Sequence, residues 1–138
     1  MGSDTSGDAA STGTPLPDRV EPLALIAVGG FAGAVLRHAL AVALPTAGLP
    51  WGTLAANVLG AFALGVLLYE ARFSGVLSPE TRLLVGTGFL SSFTTYRTFA
   101  VETAGLSPGA AAANVAATYV LGFAAVVCGR WVARVMSP

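Results

Sequence analysis

From Pro22 to Pro138 the chain carries nine charged side chains in 117 residues, and six of the nine are arginine. A soluble domain would have about a quarter of its residues charged. A surface this poor in charge cannot face water, which excludes a soluble enzyme or soluble binding domain. Over the full 138 residues, 54% are hydrophobic and 10% charged, with a mean hydropathy of +0.74. Seven arginines, no lysine and seven acids balance to zero, leaving no electrostatic footprint for nucleic acid. One cysteine, Cys128, can form neither an intrachain disulfide nor a thiolate cluster. One histidine, His38, leaves no His-based zinc site. No nucleophile lies beside a base, so the chain does not read as an enzyme. The bilayer is its solvent.

Residues 1–21 are rich in Ser, Thr, Gly, Asp and Pro and read as a disordered polar tail. The tail lacks the basic start of a signal peptide. Residues 22–138 then form one membrane domain. A bilayer core of about 30 Å needs roughly 20 helical residues. Four apolar runs meet that length: about 22–44, 51–69, 83–101 and 110–129. Pro45 and Pro50, then Ser78-Pro79, then Ser107-Pro108-Gly109 mark the connections. Trp51, Tyr69 and Trp131 fall near span ends, where amphipathic rings prefer the headgroup level. The predicted fold class is therefore an all-α membrane protein with four transmembrane helices. Gly29 with Gly33, Ala56 with Gly60 and Ala61 with Gly65 repeat at a spacing that permits close helix packing.

Polar groups at membrane depth are expensive, so each is a functional candidate. Arg37 lies two-thirds along the first span and reads either as a snorkelling arginine or as a functional cation. Asn57 is the lone amide of the second span, suited to an interhelical hydrogen bond or to a ligand. Asn114, Thr118 and Tyr119 are the polar residues of the fourth.

The third span is different. Its stretch from Gly86 to Phe99 holds seven hydroxyl residues and Arg97. Serine and threonine in series compete for backbone hydrogen bonds and sustain a helix poorly. A break in the third helix is therefore expected, and broken helices at the midplane expose carbonyls and amides to ions. No Asp or Glu lies within any span, because Glu70, Glu80 and Glu102 sit near ends or in loops. Arginines, amides, hydroxyls and electropositive ring edges suit an anion. A small drug antiporter needs a carboxylate embedded in the first span, and Glu21 precedes that span.

Three stretches resemble the Fluc (CrcB) fluoride channel family. GGFAGAVLRH resembles the family's GGxxGAxxR, and GTLAANVLGAFALG resembles its GTLxxNxxGxFxxG. GFLSSFTTYRTFAVE resembles its GFxGGxTTFSTFxxE. The resemblance implies an antiparallel dimer of four-helix subunits, with two fluoride pores and a structural sodium ion at the centre. It implies passive efflux of fluoride across a cell (inner) membrane of bacterial type. By motif position, Asn57 is the pore amide, Tyr96 and Phe99 are the pore rings, and Thr98 is a pore-side hydroxyl. Arg37 matches the arginine at the aqueous end of the pore, and Ser91 and Thr94 match the sodium-holding carbonyls. Tyr96 stands for a phenylalanine of the pattern, Arg97 for a serine, and Ser91-Ser92 for a Gly-Gly pair.

Charge counting carries an expectation of its own. Arg19, Arg72, Arg82, Arg130 and Arg134 fall on one side of a four-span chain, against no Lys or Arg in the opposite loops. That asymmetry predicts cytoplasmic termini and a single orientation. A chain inserted one way would pair with a homologous partner of opposite orientation. It could then be a partly conducting or non-conducting subunit of a heterodimer.

Overall fold

The computed structural model describes residues 16–137, which are helical with short connections and contain no strand. The first helix, α1 (Leu16–Ala43), starts before Pro22, inside the stretch expected to be tail. Pro17, near its start, needs no intrahelical N–H partner there and presets φ for the helix. Residues 1–15 of the expected tail lie outside the described residues. The second helix, α2 (Trp51–Tyr69), continues into a π-helical turn at Glu70–Ser74. Gly75 ends it with φ of +61°, a left-handed cap that glycine adopts without a Cβ clash.

The third segment is built in pieces. A one-turn helix, α3 (Pro79–Arg82), opens it, with the Ser78 hydroxyl accepting from the Thr81 N–H and Pro79 at the first position. A π-helical segment, Leu83–Leu90, follows, then the three residues of α4 (Ser91–Phe93). Thr94 and Thr95 take extended backbone at φ, ψ of −79°, 149° and −147°, 122°. Helix α5 (Tyr96–Ala104) resumes under an N-cap from Thr95, whose hydroxyl accepts from the Thr98 N–H. The last helix, α6 (Pro108–Met136), runs beyond the expected end at Gly129.

Among the described residues, three helices are long and apolar enough to cross a membrane: Val20–Ala43, Trp51–Ser74 and Pro108–Met136. They pack as two close pairs, α1 against the π segment and α4, and α2 against α6. Glycines set both contacts. A Cβ on Gly29 or Gly33 would run into the carbonyl oxygens of Leu84 and Phe89. A Cβ on Gly65 or Gly129 would run into those of Val126 and Phe62. Without side chains between them, the backbones approach closely, which drives association in a solvent as apolar as the helices themselves. The outward faces carry large apolar side chains such as Phe31, Val42 and Phe123, each more than 70% exposed. In lipid those faces need no protein cover.

Candidate functional site

An interrupted helix leaves backbone N–H and C=O groups without their helical partners. At membrane depth each such group costs several kcal/mol unless something else bonds it. Around Thr94 and Thr95 the partners come from two neighbouring helices. On α2, the Asn57 amide bonds Thr95 in both directions. Its Oδ1 accepts from the Thr95 N–H at 2.8 Å and its Nδ2 donates to the Thr95 carbonyl at 3.2 Å. On α1, Arg37 Nε donates to the Ser92 carbonyl at 3.1 Å and Nη1 to Thr98 Oγ1 at 3.4 Å. The Thr95 and Thr98 hydroxyls are 3.1 Å apart, so the network closes on itself. Arg37 is half-buried and held by protein acceptors on both sides of the interruption, so it is not a snorkelling side chain.

Sequence spacing explains how these side chains arrive. Gly29, Gly33 and Arg37 recur every four residues, so they form one stripe on α1. The two glycines bring that stripe against the third segment, and Arg37 reaches the interruption one turn further on. On α2, Asn57 and Gly60 are three apart on one face. A Cβ on Gly60 would strike Thr94 Cγ2, so the glycine makes the room that Thr94 fills.

A groove of about 540 Å³ opens between α2, the third segment and α6. Asn57, Ser91, Thr94, Thr95, Tyr96 and Phe99 line it, together with Thr118, Tyr119 and apolar residues of α2, the π segment and α6. Among the described residues no carboxylate or arginine lines it. The predicted residues thus divide into two groups. Asn57, Ser91, Thr94, Tyr96 and Phe99 meet in the groove, whereas Arg37 and Thr98 lie outside its lining, bonded to each other. The Tyr96 and Phe99 rings are 6.1 Å apart at their centroids and inclined by 46°. Phe99 is 8% exposed and Tyr96 75%, so the phenylalanine is fixed by packing and the tyrosine stands open to the groove.

Oxygen ligands for a hard cation are available at the interruption. In an unbroken helix the Ser91 carbonyl would accept from the Thr95 N–H and the Thr94 carbonyl from the Thr98 N–H. The Thr95 N–H instead goes to Asn57 and the Thr98 N–H to the Thr95 hydroxyl. Both carbonyls are therefore free of those partners, which fits the donor set sodium takes. The side-chain hydroxyls of these residues are spent locally. That of Ser91 donates to the carbonyls of Thr87 and Gly88, and that of Thr94 to Leu90. Among the described residues no cluster of His, Cys, Asp or Glu could hold a metal ion.

Thr95 is the functional position that the sequence left unassigned. Its hydroxyl caps α5 and its backbone takes both ends of the Asn57 amide. The only sequence signal was its neighbour relation to Thr94 in a hydroxyl-rich run. A second polar contact, Asn114 Nδ2 to Thr103 Oγ1 at 2.8 Å, ties α6 to α5. Asn114 is 1% exposed, with no partner for its Oδ1 among the described residues.

Residues 24–130 match the family model described as CrcB-like protein, Camphor Resistance (CrcB). The chain is 57% identical over 122 residues to a fluoride-specific ion channel, FluC 2, of Halobacterium salinarum, covering 88% of this chain and 93% of that protein. It is 55% identical over 112 residues to a fluoride-specific ion channel, FluC 1, of Natronomonas pharaonis, covering 81% and 93%. A fluoride-specific ion channel of Methanosarcina mazei, FluC 2, is 36% identical over 124 residues, covering 89% and 96%. With the family pattern spread over the glycine stripe of α1, the Asn57 face of α2 and the interrupted third segment, the chain belongs to the CrcB family.

Proposed function

We propose that this chain is a subunit of a fluoride-selective channel that lowers internal fluoride by passive efflux. One observation carries the reading: a groove lined by an amide, hydroxyls and four aromatic rings, with no carboxylate among its described lining residues, at an interrupted helix. The names of its relatives as fluoride-specific ion channels support the same reading. Fluoride is small and strongly hydrated, so a path must replace its water with closely spaced donors and still let it leave. The Asn57 amide has two N–H groups, and Thr95 takes one, leaving a donor at the groove. The edges of the Phe99 and Tyr96 rings carry partial positive charge and supply the next contacts. The Tyr96 hydroxyl, extra to the family pattern, adds a further donor.

The groove is open along the exposed side chains of Leu64, Tyr119 and Phe123. A second subunit packed antiparallel against this face would enclose it and bring the broken third segments of both subunits together. Carbonyls of Ser91 and Thr94 from each subunit would then hold one sodium ion. Bound there, sodium supplies fixed positive charge between subunits and is structural, not transported. The protein acts in the cell (inner) membrane as a multi-pass channel and performs no catalysis.

The charge asymmetry favours a second reading. Five arginines against none predict termini fixed in the cytoplasm, hence pairing with a homologous chain of opposite orientation. Fluoride efflux from liposomes that contain this purified chain alone separates the two, since a chain that needs a partner gives no efflux. In conducting vesicles, Asn57→Asp sets a carboxylate against the anion. At roughly 4 Å and an effective dielectric near 20 that repulsion is about 4 kcal/mol, enough to abolish measurable flux. Flux at the parent rate in Asn57→Asp would remove the groove from the pathway.

A further inference from the structure

The interruption at Thr94 and Thr95 creates two half-helices whose relative position nothing covalent fixes beyond two extended residues. Arg37 is bonded to both halves. Its Nε meets the Ser92 carbonyl, which α4 would have bonded to the Tyr96 N–H had the helix continued. Its Nη1 meets Thr98 Oγ1 in the first turn of α5. The guanidinium lies outside the groove lining, while Tyr96 and Phe99, which line it, belong to the half-helix that Arg37 anchors. We infer that Arg37 is a positioning residue that splints the two half-helices from α1 and so sets where the aromatic pair stands, rather than a charge that draws the anion. Asn57 on α2 holds the intervening Thr95, so the interruption is tied to two helices. The planar fork of arginine can serve two acceptors in fixed directions. The ammonium of lysine is a compact, strongly hydrated point charge and does not reproduce that fork.

The inference rests on the channel reading only for its flux arm. The test uses the full chain in liposomes, as the parent protein and as Arg37→Lys, Thr98→Val and the double variant. Amide hydrogen exchange is followed in peptides covering 92–98 and, as an internal reference, in α6. Arg37→Lys keeps the charge, so a steering role predicts parent exchange and parent flux. The splint predicts exchange at 92–98 faster by at least about tenfold, the loss of one charge-assisted hydrogen bond, with α6 unchanged. It also predicts a fall in fluoride flux and a lower fluoride-over-chloride ratio despite the retained charge. Thr98→Val removes one of the two anchors, so its effect and that of Arg37→Lys should be less than additive in the double variant. Parent-level protection at 92–98 in Arg37→Lys overturns the splint whatever the flux does. Faster exchange in Arg37→Lys, where the parent chain alone carries no fluoride, upholds the splint and counts only against a channel made of this chain by itself.

Discussion

The α2–α6 pair and the third segment answer the same problem, a backbone whose polar groups all need partners, in opposite ways. Helices α2 and α6 bond their own backbones and meet at glycines, with Gly65 against Val126 and Gly129 against Phe62. Their contact is a matter of shape. The third segment gives up helical hydrogen bonds at the Ser92 carbonyl and at Thr95 and takes replacements from Arg37 and Asn57. Its contact is a matter of chemistry. A self-satisfied helix is free to be featureless, whereas a broken one needs particular polar side chains at particular positions and leaves carbonyls free of helical partners.

The contrast predicts which changes each region tolerates. The largest effect belongs to Asn57→Leu, which leaves both backbone groups of Thr95 without partners and costs about 3 kcal/mol of stability. Thermal unfolding in detergent measures it, and an unchanged midpoint would show that water replaces the amide. Next comes Gly129→Leu, where the added side chain meets the Phe62 carbonyl and pushes α2 from α6. Overpacking of this kind costs about 2 kcal/mol, and Gly129→Ala should give part of the same shift. If a polar exchange on the far face of α6 matched the effect of Gly129→Leu, shape would not be what joins the pair.

Thr95→Val is smaller, because it keeps the backbone bonds to Asn57 and loses the hydroxyl cap of α5, worth about 1 kcal/mol. It also frees the Thr98 N–H to compete for the Thr94 carbonyl. Its flux should therefore become more sensitive to replacing sodium with a bulky organic cation than that of the parent. The smallest effect lies outside both regions. Arg82 pairs with Glu70 at 3.3 Å but is 34% exposed, so Arg82→Gln should leave the unfolding midpoint at the parent value.

The two regions also differ in how legible they were. The bounds of α2 follow from an uninterrupted apolar run between Pro50 and Glu70, since a helix that satisfies itself is written locally. The start of α1 was not, because a polar tail and a helical first turn share the residues Leu16 to Glu21. In the third segment, a run of hydroxyls states that helix is hard to sustain between Gly86 and Phe99. It does not state which residues leave it, nor that Leu83–Leu90 winds as a π-helix. Asn57 was marked as important by being a lone amide in an apolar helix. Its bonding in both directions to Thr95 depends on a residue 38 positions away.

Sequence alone therefore determined the solvent, the helical class, the glycine stripes and the polar residues that hydrocarbon would not tolerate without purpose. Each of these follows from single-residue transfer energies or from spacing along one helix. Tertiary structure alone decided that Arg37 and Thr98 face each other while Asn57, Ser91, Thr94, Tyr96 and Phe99 share a groove. It also decided that the carbonyls of Ser91 and Thr94 lose their helical partners to Asn57 and Thr95. The physical reason is that a hydrogen bond between helices depends on the approach of two backbones. That approach is set by glycines on both helices together and cannot be read from either run of sequence by itself.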